Sequence, residues 1–368
     1  MHPMIKPSLR RGWRDRQTVR FGVTPAHSVL LGPVDSATQS FLALLDGTRA
    51  LSALRDAATS LGLGRGAADR LAERLAAAGV LDDATADREA AAQVTDGLRP
   101  DLASLSLLHP RPGAGLAALV ARRGMRVQVR GAGRVGTAVA TALSQAGVGT
   151  VDVVDGGRVE PEDTAPGGLR AEHIGRRRAA AARSLVRTVV PWRREGEGKG
   201  GNAGKGGDAG EAAKGGGTRL VILAPRDGLA AYVPDPAAAE ELITAGMPHL
   251  YTGVVEATGF VGPLVLPGAS ACAGCLLRRR AAREPCWPLL VAQWRNARWP
   301  GVPACDGPLA TAVAGLAACT ALGFLDGTVP PSASTRTELA LPRLSATTET
   351  IEPHQECSCG AATTTRPP

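Results

Sequence analysis

The spacing of apolar positions divides the chain into stretches of different character. In residues 1–85, two short extended pieces, RQTVRFGV and AHSVLLGPV, precede three segments with apolar residues at helical spacing. These predict helices over 36–45, 51–61 and 67–78, with Gly47, Gly62 and Gly79 as stops and GVLDD closing the last. Short strands plus three helices in so few residues form the winged-helix layout, a small α+β unit that reads DNA or docks a peptide as an added strand. Residues 82–98, alanine-rich and charged, predict a linker helix, and 86–121 is expected to join two domains.

From Met125 the pattern changes. MRVQVRGAGRVG is an apolar strand running into glycines, a helix follows to Ala146, and a second strand ends at Asp155. A later apolar strand is carried by TRLVILAPRDG. The run LATAVAGLAACTALGFL, residues 309–325, has no charge and approaches the length of a membrane span. Alanine and glycine supply most of it, so it gains little from lipid and reads as a buried helix packed closely on a sheet. Residues 193–217, RREGEGKGGNAGKGGDAGEAAKGGG, are glycine-dominated and hold no large apolar side chain, which predicts a disordered insert.

Composition sharpens this picture in three ways. Apolar residues are 44% and aromatics only 3%, so the core is expected to be tight helix-on-sheet packing of small side chains, an α/β arrangement. The net charge of +8 would ordinarily raise nucleic acid as a partner. Only four lysines (Lys6, Lys199, Lys205, Lys214) stand among 42 basic residues, an arginine bias that base composition alone produces, and nucleic acid is not expected. No apolar run follows the basic N-terminal residues, so no signal peptide, a cytoplasmic location and no membrane partner are expected.

Gly131-x-Gly133-x-x-Gly136 lies between the strand and the helix, and Asp155 falls at the end of the next strand. Such glycines permit a tight turn and close approach of backbone to phosphate, and a carboxylate about 20 residues on holds ribose hydroxyls. A nicotinamide oxidoreductase uses the same fingerprint but needs an acid/base pair in a substrate domain, and none is legible.

After Asp155 the chain reads GGRVEPEDTAPGGL and HIGRRRAAAARSLV, then GFVGPLVLPGASACAGC and ACDGPLATAVAGLAACTALGFLDG. These segments and their order resemble the ThiF, MoeB and HesA family, relatives of ubiquitin-activating enzymes, over roughly 122–359. The resemblance implies a Rossmann-like domain over 122–345 and adenylation of the C-terminal carboxylate of a small protein or peptide by Mg-ATP. It places Gly131, Gly133, Gly136 and Asp155 on the nucleotide. Asp163, Pro166 and Arg178 stand where the family has Asn, Arg and Lys, so Arg178 is expected to meet phosphate and Pro166 offers no donor. Strict register puts Arg226 at the family's magnesium-binding Asp. A one-residue slip brings Asp227 there, and Asp227 is the expected Mg2+ ligand. Cys305 matches the cysteine that in some members links to the activated carboxylate. It precedes a helix N-terminus that favours thiolate, opposed by Asp306.

LLDGTRALSALRDAA and LAAAGVLDD resemble the small leader-recognition domains of ribosomal-peptide biosynthesis. In azoline-forming pathways, ThiF-like proteins with such a domain lose ATP chemistry and deliver a precursor peptide to a separate enzyme. That scaffold is the alternative to an adenylyltransferase. Either way the partner is a small protein or precursor peptide, with a downstream biosynthetic enzyme in the second case, and family members are commonly homodimers.

Cys272-x-x-Cys275 and Cys357-x-Cys359 supply four thiolates, the set for a closed structural zinc. The second pair lies in the tail, 346–368, which zinc would hold to the domain. Cys286 and Cys319 read as ordinary buried or loop cysteines.

Overall fold

The computed structural model describes residues 1–192, 217–296, 302–328 and 333–364. The insert expected to be disordered lies, apart from Gly217, outside the described residues. The chain divides into two compact units, one of Met1–Ala121 with Pro191 and Trp192, the other of Arg122–Val190 with the described residues from 217 on.

The first unit begins with β1 (Pro3–Ile5), β2 (Arg11–Trp13), β3 (Val19–Phe21) and β4 (Val29–Leu31). Strands β2, β3 and β4 form an antiparallel sheet in that order. Helices α1 (Ser36–Ala43), α2 (Leu51–Ser60) and α3 (Ala67–Ala77) follow, within two residues of the spans the apolar spacing predicts. Asp35 caps α1 by accepting the Thr38 N–H at 2.7 Å. Val19, Phe21, Phe41, Leu54 and Leu75 are buried together as one core. This is a winged-helix-like α+β unit.

The sequence reading did not anticipate β5 (Leu81–Asp83), which pairs antiparallel with β1. Nor does one linker helix run over 82–98. Asp87 caps a short α4 (Arg88–Gln93), and Thr95-Asp96-Gly97 breaks the helix before α5 (Arg99–Leu108) and α6 (Ala114–Arg123). Leu98, Leu105, Leu119 and Trp192 bury one another, so this stretch has a core of its own. It is fastened by Lys6, fully buried, whose ammonium donates to the Ser106 and His109 carbonyls at the end of α5.

The second unit is a seven-stranded sheet of order β12-β11-β10-β9-β8-β6-β7. Its strands β6 (Arg126–Arg130), β7 (Thr150–Val154), β8 (Thr218–Leu223) and the start of β9 (His249–Val255) run parallel. Helices α7 (Arg134–Gln145) and α8 (Arg178–Thr188) make the crossovers, while α9 (Leu229–Tyr232) and α10 (Pro236–Thr244) lie between β8 and β9. Strand β10 (Thr258–Val265) turns antiparallel, followed by α11 (Ala273–Arg283), α12 (Trp287–Asn296) and α13 (Gly307–Leu325). The antiparallel edge is β11 (Thr335–Ala340) and β12 (Ser345–Thr350), and α14 (Ala361–Thr364) ends the described chain.

Valines at alternate positions of β6 and β7 pair in register, Val127 with Val151 and Val129 with Val153, and all four are buried. Helix α13 is long and apolar enough to cross a membrane, the one such helix among the described residues. It packs on α7 and β9, burying Val313, Ala314, Ala317 and Ala321. Small side chains let it lie close to the sheet, so Val313 Cγ2 is 2.3 Å from where a Cβ on Gly259 would sit.

Candidate functional site

The site lies at the C-terminal ends of β6, β7 and β8, where the chain leaves the parallel sheet and α7 begins. Gly131 has φ +115°, and a Cβ there would lie 1.9 Å from the Ala224 carbonyl oxygen. A Cβ on Gly136 would lie 2.2 Å from the Gly131 carbonyl oxygen, and one on Gly133 would lie 3.2 Å from Arg226 Cα. Gly131 therefore permits the turn, Gly136 the close seat of α7 on the loop, and Gly133 the approach of Arg226.

Asp155 braces this loop. Its Oδ2 accepts the Ala132 N–H at 2.9 Å, and its Oδ1 accepts the Gly157 N–H at 2.8 Å and Arg178 Nε at 2.9 Å. Burial raises the carboxyl, but the donated N–H groups and the guanidinium outweigh it and hold Asp155 below the usual carboxylate range. Burial lowers Arg178, and Asp155 and Asp163 reverse that, so it stays charged. Gly157 leaves room for this guanidinium.

The ion pairs extend through Asp163, only 2% exposed. Its Oδ2 accepts Arg178 Nη1 at 3.2 Å and its Oδ1 accepts Arg226 Nε at 2.6 Å. Arg226 also pairs with Glu160 and lies 3.8 Å from Glu162. The result is a chain of alternating charge from Asp155 to Glu160. The sequence reading named Arg178 but missed that Asp163 and Arg226 complete this chain, a relation invisible across 63 residues of separation.

Two hollows flank Arg226. A cleft of about 970 Å3 is lined by Gly131, Asp155, Arg178, Arg226 and Tyr251. The Tyr251 hydroxyl is buried and unpartnered, and the sequence carried no signal for it. A smaller hollow of about 520 Å3 is lined by Gly133, Arg134, Glu162, Asp163, Arg226 and Cys305. Buried atoms without partners, Arg134 Nε and Glu162 Oε2, belong to two of its residues.

Asp227 is brought to neither hollow. It is exposed, and its Oδ1 accepts the Leu229 N–H at 3.0 Å. A residue so engaged, with Arg226 occupying the cleft beside it, does not fit the expected Mg2+ ligand. Cys305 does line the smaller hollow, but its surroundings work against the thiolate that the helix dipole favours. Burial pushes its thiol up, Arg134 opposes this and Asp306 adds to it, with a net rise. Asp306 spends its carboxylate on the Leu309 N–H at 3.0 Å, capping α13 and taking up an amide that would have favoured thiolate.

The four cysteines converge. Their sulfurs all lie within 4.8 Å of one another, with Cys272–Cys357 at 3.5 Å, Cys275–Cys359 at 3.6 Å and Cys272–Cys275 at 3.9 Å. Four thiolates on a tetrahedral zinc with bonds of about 2.3 Å sit about 3.8 Å apart, so the residues present fit that ion. Gly274 suits this close approach, since a Cβ there would lie 3.0 Å from Cys357 Sγ and press on it. Four protein sulfurs would close the coordination of such an ion, leaving no position for an activated water. Cys286 and Cys319 are exposed.

The ThiF family model matches residues 112–361. No curated protein sequence matches the chain. Among solved structures, MccB of E. coli with ATP is 13% identical at a TM-score of 0.69, covering 98% of this chain and 100% of that one. The microcin C7 biosynthetic enzyme MccB in complex with N-formylated MccA is 12% identical at a TM-score of 0.69, with coverage of 98% and 100%. A heterocyclase in complex with substrate and cofactor is 16% identical at a TM-score of 0.60, covering 98% of this chain but 39% of that one. With the glycine loop, the braced Asp155 and a family match across most of its length, the chain belongs to the ThiF family.

Proposed function

We propose that the protein binds an adenine nucleotide in the cleft between the glycine loop and Tyr251 and activates a carboxylate of a small protein or precursor peptide as its adenylate. The observation that carries this is the combination of an intact glycine loop with Asp155, whose Oδ2 has taken only one hydrogen bond and retains capacity for a ribose hydroxyl. In the reaction a carboxylate oxygen bonds to the α-phosphorus while the bond to pyrophosphate breaks. Arg134, with its unpartnered Nε, is the donor in the smaller hollow that would hold the incoming carboxylate. Arg226 and Arg178 offset phosphate charge. No step is assigned to magnesium, because Asp227 does not face the cleft, nor to Cys305 as a nucleophile.

The full-length likeness to MccB supports a stand-alone peptide-modifying enzyme, with the winged-helix-like unit as the peptide-binding part. The exposed apolar Leu316 on α13, beside Gly315, suits packing against a second copy. A second reading, a scaffold that delivers a precursor peptide to a partner enzyme, is favoured by one observation: the cleft's arginines are already engaged by Asp155, Asp163 and Glu160. Calorimetric titration of ATP into the zinc-loaded chain, with Asp155→Ala as control, decides between them. Micromolar binding that the substitution abolishes, followed by peptide-dependent pyrophosphate exchange, supports the enzyme. Absence of heat with folded protein leaves the scaffold.

A further inference from the structure

The β2-β3-β4 sheet of the first unit has two unlike faces. Val19, Phe21 and Leu31 turn inward to the core, so Arg20 and Leu30, at the alternate positions of β3 and β4, stand on the outer face. These two are cross-strand partners, and Gly12 of β2 pairs with Arg20 from the other side. A Cβ on Gly12 would meet nothing, so the space above this row is open. Arg10 and Arg14, two residues to either side of Gly12, are exposed, and so are Val23 and Leu30. With Trp13, they line an open groove of about 690 Å3.

The groove carries charge of one sign. Residues 1–34 hold six lysines and arginines against one acidic residue, whereas residues 35–121 hold eight against eleven. An arginine bias of base composition spreads over the whole chain and does not produce that contrast. Asp15, the one acid, accepts the Gln17 N–H at 2.9 Å and acts on Arg14 only through space. Arg20 is held in place by donating to the Gly22 and Val23 carbonyls at 3.0 and 2.9 Å, which leaves its charge unneutralised. The ion pairs of this unit lie elsewhere, Arg49–Asp46, Arg55–Asp69 and Arg99–Asp96, and among the described residues none reaches the groove.

We propose that this groove binds an extended acidic peptide segment whose carboxylates alternate with aliphatic side chains along one side. The proposal rests on the reading of the first unit as the peptide-binding part, and adds which peptide chemistry it takes and on which face. Arg10, Arg14 and Arg20 offer guanidiniums to the carboxylates, while Leu30, Val23 and Pro25 supply an aliphatic floor. In an extended chain, side chains two apart point the same way, so an acid and an aliphatic residue at i and i+2 both reach the groove. A single-stranded nucleic acid needs a series of aromatic faces for its bases, and Trp13 is the one ring lining this groove. The aliphatic floor likewise has nothing to offer a phosphodiester backbone.

The test is fluorescence anisotropy with the full-length zinc-loaded chain, without nucleotide and at low salt. The probe is the peptide Glu-Ser-Leu-Ser-Glu-Ser-Leu-Ser-Glu, amidated at its C-terminus and labelled at its N-terminus with a neutral fluorophore. It is expected to bind at least tenfold more tightly than the same peptide with Gln for Glu, and more tightly than labelled tetrathymidylate, which carries the same charge. Arg10→Ser combined with Arg14→Ser is expected to weaken the acidic peptide at least tenfold, and Leu30→Ser at least threefold. All three positions are exposed, so these variants keep the fold, whereas Arg20 is left intact because it ties down the turn after β3. ATP titration of the double arginine variant is expected to match the parent chain, since the nucleotide cleft is built from residues of the second unit. Equal binding of the Glu and Gln peptides, unchanged binding in the double variant, or tighter binding of tetrathymidylate overturns the inference. Any of these in a chain that still binds ATP leaves the nucleotide reading standing, and a chain that takes the acidic peptide but no ATP loses that reading alone.

Discussion

Arg226 donates its Nε–H to Asp163 at 2.6 Å, and the acceptor is a nearly inaccessible carboxylate that Arg178 also engages. Two guanidiniums share one buried anion. Asp163→Ala would leave both without it, and breaking a buried pair of this kind costs about 3–5 kcal/mol. The expected outcome is a melting temperature lower by roughly ten degrees, at about 2–4 °C per kcal/mol for a folding unit of about 150–250 residues. Thermal unfolding followed by circular dichroism measures it, and a shift within two degrees would contradict the shared-anion arrangement.

Asp155 and Asp227 are expected to part company when each is replaced. Asp155→Ala removes the brace of the loop and the ribose acceptor, so nucleotide affinity should fall at least tenfold. Asp227→Asn should leave it within twofold, since the residue points to solvent and asparagine can still accept the Leu229 N–H. Equal losses in the two variants would restore Asp227 to the site.

Metal content gives a third check. Purified protein should hold one zinc per chain, and Cys357→Ser should lose it. Stripping with a strong chelator should lower the melting temperature and expose the segment from β12 to Cys359 to protease, because two of the four ligands lie beyond that strand. Protein that binds no zinc and melts identically with chelator present would exclude the ion.

The acid limb of stability should carry the signature of Asp155. Its folded value lies below its unfolded one, so the contribution is complete above the ordinary carboxylate range and is lost as pH falls through the lower folded value. Asp155→Asn should flatten the decline of stability between about pH 5 and pH 2. A decline as steep as in the parent chain would place the titrating group elsewhere.

Features with local demands were legible from the chain alone. The turn at Gly131, the helices of the first unit and the C-x-x-C knuckle each depend on residues a few positions apart. Relations set by tertiary closeness were not. Nothing in the sequence joins Asp163 to Arg226, Lys6 to the carbonyls that end α5, or Arg336 to Tyr232. The linker helix failed because Thr95-Asp96-Gly97 interrupts a favourable alanine pattern and Leu98 finds buried partners. Asp227 does not reach the site because the strict register, which places Arg226 there, holds and the one-residue slip does not occur. At Cys305 the helix dipole was foreseeable, but the burial that overrides it was not.

The charge chain around Asp163 also constrains how this site can change by descent. Exchanging Arg226 for aspartate in one step would remove the partner of Glu160 and Asp163 and set a third carboxylate beside them. Like charges at that range repel, so the exchange is strongly epistatic and passes through a destabilised intermediate unless residue 160 or 163 changes first. Lineages carrying this arginine are thereby held on their side of a mutational ridge, whatever selection acts on the chemistry.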